Sequence, residues 1–279
     1  MRMRKNLWLV LLMPLILAGC STTSSTTSQA KTNTAVQESK VTAKQISNWT
    51  YKSGEKSVKI LNNDKPNEIK KTDFNQSHID YEGLDNLNRT KTATAYLMRN
   101  NLGRSNTRTE QVWRPTGWHN QPKYVNGTRV IAQNRGHLIA YTMTFNLDKS
   151  GQTAQGELGS IDNPYNLFTQ TEFSNQKTMT QIEQKVRDSL AQNKKVIYRV
   201  TPIFRGRELM ARGVWVQGLS TDGSLQFNRY LWNVQDKIKF DYATGRSTVD
   251  TSWRVPAVAN YQSKYHHNYQ KSHYNQRSN

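Results

Sequence analysis

Over residues 178–193 four apolar side chains, Met179, Ile182, Val186 and Leu190, recur at spacings of three and four. That spacing gathers them on one side of an α-helix, which must then lie against another apolar surface. β-rich runs occur at 57–61, 128–132, 195–203, 213–219 and 225–234, separated by Gly- and Pro-bearing loops such as RPTGW, DKSGQTAQGELG and TDGS. A further helix is expected over 84–99. Helices and strands that mix without regular βαβ alternation define an α+β fold, and no internal repeat is visible.

The ends of the chain read differently. MRMRK is a positive n-region, LWLVLLMPLIL is an apolar stretch interrupted by Pro14, and Leu17-Ala18-Gly19-Cys20 closes it on small residues. Residues 1–19 therefore read as an export signal, since a spanning helix needs roughly 20 apolar residues. The LAGC order resembles the lipobox of bacterial lipoproteins, whose cysteine is diacylated and becomes the new N-terminus. Cys20 is also the only cysteine in the chain, so it has no disulfide partner. The mature protein is expected on the outer face of the cytoplasmic membrane, held by lipid on Cys20, with some of it shed or secreted. Residues 20–46, rich in Ser, Thr, Lys and Gln, bury too little to offset their ordering entropy and read as a flexible stalk. Residues 261–279 read as a basic, His- and Tyr-rich disordered tail. One domain remains between them, at 47–260.

Lys and Arg number 39 against 20 Asp and Glu, a formal charge of +19, which becomes +16 without Arg2, Arg4 and Lys5 of the signal. A polyanion is the expected partner: nucleic acid, anionic lipid headgroups or cell-wall polymer. Charge alone does not choose among them.

Chemistry-bearing residues concentrate in two stretches. NRGHLIA, residues 134–140, sets Arg135, Gly136 and His137 side by side at the foot of an expected strand. Downstream, NPYNLFTQTEFSNQ carries carboxamides at 163, 166, 170, 175 and 176, and the amphipathic helix then presents Glu183 and, one turn on, Arg187. Taken singly these have ordinary readings: a structural histidine, turn-forming carboxamides, and an i, i+4 pair worth about 0.2–0.5 kcal/mol of helix support.

Taken together they resemble the DNA/RNA non-specific endonucleases of the ββα-metal (His-Me finger) superfamily, and the secreted and surface-bound DNA-entry nucleases of Gram-positive bacteria above all. The likeness runs from about Ser57 to Val249 and includes ILNNDKP, YEGLDNLNR, WRPTGW, NRGHLIAY, NPYNLFTQTEFSNQ, IEQKVRDSLAQNKKVIYRVTPIF, LQFNRYLWNVQ and DYATGRST. The resemblance implies a central antiparallel sheet with flanking helices and a ββα-metal finger at about 130–190. It implies His137 as general base, Asn175 as the protein ligand of magnesium (manganese as a substitute), and Glu183 as a carboxylate holding a water of the ion's shell. Arg187 joins the catalytic set, while Arg135, Asn166 and Gln170 bind substrate or shape the site. The implied activity is hydrolysis of DNA, and of RNA, with little sequence preference, leaving 5′-phosphate ends.

These residue types suit phosphodiester hydrolysis. An imidazole with an ordinary pKa near 6.5 is largely neutral at neutral pH and can accept a proton, a role worth roughly 10²- to 10⁴-fold. Magnesium prefers oxygen ligands and keeps several waters, so one carboxamide ligand is reasonable. On one straight helix Asn175 and Glu183 would stand ~12 Å apart, so either a water bridges them or the helix starts after Asn175. Guanidinium groups offer paired donors to phosphate oxygens.

The family tetrad usually begins with Asp, where this chain has Asn134. The charge is lost and the hydrogen-bonding shape kept. The alternative function that follows is a weak or inactive surface lipoprotein that binds DNA or another polyanion. Other residues promise less. His78, His119 and the tail histidines 266, 267 and 273 lack a ligand framework. Asp148 opens no complete calcium loop. Arg89, Arg104, Arg108 and Arg114 are secondary candidates for phosphate contact, with solvated surface arginine the default reading of each. Nothing in the sequence sets an oligomeric state.

Overall fold

The computed structural model describes residues 40–263. The signal, Cys20 and most of the stalk lie outside the described residues, as does the tail from residue 264. Among the described residues no helix is long and apolar enough to cross a membrane.

The described residues contain twelve strands and two α-helices: α1 (Ala43–Ser47), β1 (Val58–Ile60), β2 (His78–Tyr81), β3 (Ala93–Leu97), β4 (Lys123–Val125), β5 (Thr128–Val130), β6 (Gln133–His137), β7 (Leu167–Thr171), α2 (Thr180–Ala191), β8 (Val196–Ile203), β9 (Gly213–Ser220), β10 (Gln226–Trp232), β11 (Ile238–Asp241) and β12 (Arg246–Val249). Six strands form one antiparallel sheet in the order β1-β10-β9-β8-β3-β2. The pairs β4/β5, β6/β7 and β11/β12 form separate two-stranded ribbons. The fold is α+β around a central antiparallel sheet, as expected.

Both faces of the sheet are covered, so β9 is buried along its whole length and its sequence, GVWVQGLS, does not alternate between apolar and polar. On one face lie Val214, Val216 and Leu231 with Tyr198 and Val200. The stripe Met179, Ile182, Val186 and Leu190 packs there, each side chain at most 2% exposed. Burial of each contributes ~1.5–3 kcal/mol as an upper estimate, and a charge at Val186 would undo the docking. On the other face Trp215, Tyr230 and Trp232 pack against Ile46, Tyr51 and Val255 from the two ends of the domain.

Three expectations change. Residues 84–99 are not helical. Asp85 caps a tight turn through Leu87 and Arg89, Asn88 takes a left-handed φ of 59°, and the Thr/Ala alternation that follows forms β3 between β2 and β8. The stalk ends earlier than residue 46, because Thr42 caps α1 in a capping box and Ile46 is fully buried. At the other end Tyr261 and Ser263, assigned to the tail, bond to Asp188 on α2. The remaining β-rich runs become β1, β5, β8, β9 and β10.

Candidate active site

β6 and β7 pair in the register Gln133↔Thr171, Asn134↔Gln170, Arg135↔Thr169, Gly136↔Phe168 and His137↔Leu167. Because side chains alternate, Gln133, Arg135 and His137 share one face of this ribbon with Thr169, while Asn134 and Gly136 share the other with Gln170 and Phe168. The first face grips the tryptophan loop. Arg135 Nε donates to the Trp113 carbonyl at 2.7 Å, Thr169 Oγ1 to the Thr116 carbonyl at 2.8 Å, and Gln133 Nε2 to the Gly117 carbonyl at 3.2 Å. The Arg135 guanidinium also lies over the Trp118 ring, 4.8 Å from its centroid. Arg135 thus builds the site wall with Nε and the flat of its guanidinium, and its terminal N–H groups have no hydrogen-bond partner among the described residues.

On the second face the strands come close together. A Cβ at Gly136 would lie 2.2 Å from Gln170 Oε1 and 2.7 Å from its Cβ, so only glycine fits between Arg135 and His137. Gln170 and Asn166 are fully buried. Gln170 Nε2 donates to Ser174 Oγ at 3.0 Å. The Asn166 side chain clamps the backbone of Ile139, accepting from its N–H and donating to its carbonyl, both at 2.9 Å. Of the two roles expected of Asn166 and Gln170, binding substrate or shaping the site, their burial and bonds favour the second: neither reaches solvent, and both hold the ribbon and its exit in shape.

His137 is partly exposed, and its Nε2 lies 3.0 Å from the Ile161 carbonyl. A carbonyl only accepts, so the neutral ring carries its proton on Nε2 and leaves the Nδ1 lone pair free. Desolvation pushes the pKa down to about 4, aided by the charge of Arg108 and opposed by the Ile161 carbonyl and Asp162. Asp162 in turn accepts the Trp113 N–H at 3.0 Å, tying the histidine's support to the tryptophan loop.

After β7 the chain becomes helical at once. Residues Ser174–Met179 form a π-helical turn that runs into α2, so the helix does not start after Asn175. The wide turn presents Asn175, partly exposed, whose backbone carbonyl accepts from Thr180 Oγ1 at 2.9 Å. No hydrogen bond restrains its carboxamide among the described residues. π-turns inside helices are frequent at functional sites. Two turns on, Glu183 and Arg187 face each other at 3.5 Å with side chains 15% and 17% exposed, which is more buried than an ordinary surface pair. Burial pushes the Glu183 pKa up against the opposing charges of Arg187 and Arg108.

Arg108, one of four arginines that the sequence offers as secondary phosphate contacts without singling it out, is the one that lies near the site. Its side chain is exposed, packs 5.6 Å from the Tyr141 ring centroid and acts electrostatically on both His137 and Glu183. It lies in a loop of RSNTRTE with no motif to mark it. The supporting Ile161 carbonyl is a backbone group and leaves no residue-type signal. The other candidates are structural: His78 stacks on Tyr96 at 4.3 Å, Asp148 caps its own loop through Ser150 and Gln152, and Arg89 pairs with Asp85.

A two-stranded ribbon that ends in a tautomer-fixed histidine and leads into a helix bearing a free carboxamide and a half-buried carboxylate is a ββα-metal finger, the expected class. Residues 66–221 match the family described as DNA/RNA non-specific endonuclease. The chain belongs to that family. It is 32% identical to NucA from Streptococcus agalactiae with magnesium ion bound, over 70% of this chain and 87% of that one, with a TM-score of 0.60. The same nuclease with no metal bound gives 30% identity, the same coverage and a TM-score of 0.58. Sda1 nuclease with bound zinc ion shares the fold, at 20% identity over 71% of this chain and 98% of that one, with a TM-score of 0.55.

Proposed function

We propose that this nuclease is a magnesium-dependent endonuclease that cuts DNA and RNA without sequence preference, leaves 5′-phosphate ends, and works outside the cell, held to the membrane by lipid on Cys20. The observation that carries the reading is the fixed tautomer of His137. Its Nε2 is engaged by Ile161 and its Nδ1 lone pair is free, beside an arginine that it shares electrostatically with Glu183.

Asn175 and Glu183 fit a hard divalent cation. The first offers an unrestrained carboxamide oxygen, the second a carboxylate held only by a 3.5 Å contact, and magnesium takes oxygen ligands while keeping waters that bridge to a more distant group. When bound, the ion supplies charge neutralisation at the phosphate and at the departing 3′ oxygen. His137 Nδ1 takes the proton of the attacking water, and its low pKa keeps it neutral across the working range. Arg108, Arg187 and the free N–H groups of Arg135 hold the phosphate by paired donors. Glu183 orients a water toward the position Asn175 faces.

Asn134 favours a second reading, a surface lipoprotein that binds DNA without cutting it, because it replaces the usual acidic residue. Its side chain lies on the ribbon face opposite His137, with Gln170, so the missing charge does not sit against the base. Plasmid digestion separates the two readings. A chain begun at residue 40, which keeps Ile46, should cut with magnesium and stop with EDTA. Retention of plasmid without any cleavage would establish the binder.

A further inference from the structure

Arg187 stands farther from its acid than Arg89 and Arg229 do from theirs, at the same 3.5 Å as the more exposed Arg199–Glu82 pair. Arg89 meets Asp85 at 2.7 Å and Arg229 meets Asp64 at 2.7 Å, whereas Arg187 Nη1 stands 3.5 Å from Glu183 Oε2. The guanidinium is occupied elsewhere: Nε and Nη2 both donate to Gln184 Oε1, at 3.3 and 3.0 Å. The Gln184 amide has no freedom to turn over, because its Nε2 donates to Asp188 Oδ1 at 2.7 Å. A guanidinium only donates and a carboxylate only accepts, so one amide orientation alone satisfies both neighbours. Asp188 is itself 5% exposed, and the C-terminal segment fastens it. Ser263 Oγ donates to Oδ1 at 2.8 Å and Tyr261 Oη to Oδ2 at 3.2 Å, while Lys185 Nζ sits over the Tyr261 ring at 5.6 Å.

We propose that Gln184 and Asp188, clamped by Tyr261 and Ser263, are positioning residues that hold the Arg187 guanidinium off Glu183 and so keep both available to the reaction. The inference rests on the reading of Glu183 and Arg187 as members of the nuclease site. Its physical basis is the cost of losing the relay. In a half-buried setting an unheld guanidinium closes on the neighbouring carboxylate as a bidentate pair, which removes the carboxylate's accepting oxygens and turns the N–H groups away from phosphate. The end of the domain thereby sets the geometry of a helix some seventy residues earlier, through bonds that polarise one another in sequence.

The test combines kinetics with a readout that needs no turnover. In the full chain, Gln184→Ala should lower kcat about tenfold with KM within about threefold, because misplacement of a reacting group acts on the chemical step. Tyr261→Phe combined with Ser263→Ala should lower kcat in the same direction by about threefold, the loss of neutral donors to one carboxylate. In an Arg187→Lys background, Gln184→Ala should change kcat by less than about twofold, since non-additivity identifies residues acting through a shared partner. Independently, the Arg187 Nε–H resonance in ¹⁵N NMR should be shifted and slowly exchanging in the parent and lose both features in Gln184→Ala. An unaltered resonance in that variant, or an equal loss of kcat in both backgrounds, overturns the proposal. A parent that never cuts with magnesium, yet shows the expected resonance behaviour, leaves the positioning intact and removes the nuclease reading instead.

Discussion

Lowering the pH tests whether burial has tuned the base. An ordinary histidine titrates near 6.5, and His137 is pushed down to about 4, first by desolvation and then by the charge of Arg108. At pH 5.5 an ordinary imidazole would be only about one-tenth neutral, whereas one titrating near 4 stays almost wholly neutral. A base of the first kind would lose roughly tenfold in kcat/KM between pH 7.5 and 5.5, and His137 should lose almost nothing to its own protonation. Glu183, whose pKa is raised, can also take a proton on the acid side, so rates alone are ambiguous. The deciding assay is a titration of the His137 ring by ¹⁵N NMR in metal-free protein, assigned by the signal missing from His137→Gln. The same shift has a stability consequence. With its folded pKa below the unfolded one, the native state binds fewer protons between pH 4 and 6.5 than the unfolded chain does. Stability therefore falls as pH drops through that window, by at most about 3 kcal/mol from this residue. A midpoint of 6 or above would refute the reasoning, because it would mean that the ring is solvated and that burial has not tuned it. Arg108→Ala should move the midpoint upward, and a downward movement would count against the shared-arginine geometry.

Asn175→Ala should raise the magnesium concentration needed for half-maximal rate, and Glu183→Ala should do so with a larger residual rate; isothermal titration with magnesium checks the binding directly, and unchanged metal dependence in both would remove them from the site. Gly136→Ala should cost ~1–3 kcal/mol of stability, because its methyl meets Gln170 Oε1 at 2.2 Å and a packed interior resists such insertion; thermal unfolding that matches the parent would contradict the close approach of the strands. Asn134→Asp should preserve or increase cleavage, since the two side chains share shape and the position lies on the ribbon face away from His137; collapse of activity would mean that the site has been rebuilt around asparagine.

The helix stripe and the strands of the sheet were legible in the sequence because one-sided burial imposes a period, as at Met179, Ile182, Val186 and Leu190. Residues 84–99 misled because their apolar content also suits a helix, and only pairing with β8 and the turn at Asn88 decides for β3. His137, Asn175, Glu183 and Arg187 were nominated through the family resemblance and its spacing. Arg108 could be named only as one arginine among four, because it approaches the site from a loop whose path depends on the whole fold. Asn166 and Gln170 show a different limit. Residue type records that a carboxamide has donors and acceptors, but not whether their partners are a substrate or the chain's own backbone.

The carboxamides of this region sort by that criterion. Asn166 spends both ends of its amide on Ile139, Gln133 bonds to the Gly117 and Gly245 carbonyls and to the His119 N–H, and Asn233 binds the Thr171 N–H and the carbonyls of Thr169 and Ala211. All three are almost fully buried, so removing any one would strand buried backbone groups at a cost of ~1–3 kcal/mol each. Together they lock the β6/β7 ribbon to the tryptophan loop and to the end of β10. A rigid support is what a catalytic group needs, since its productive geometry tolerates only about half an ångström of error. Asn175, like Asn134 on the opposite ribbon face and its exposed neighbour Gln176, has no side-chain hydrogen bond among the described residues, but it is the partly buried one that stands at the start of the widened turn of the helix, next in sequence to Ser174, which is itself fixed by Gln170 and Thr171. An amide whose backbone is immobilised and whose side chain is free is pre-organised for a ligand from outside the chain, which supports the proposed metal role of Asn175 over the fully engaged Asn166, Gln133 and Asn233.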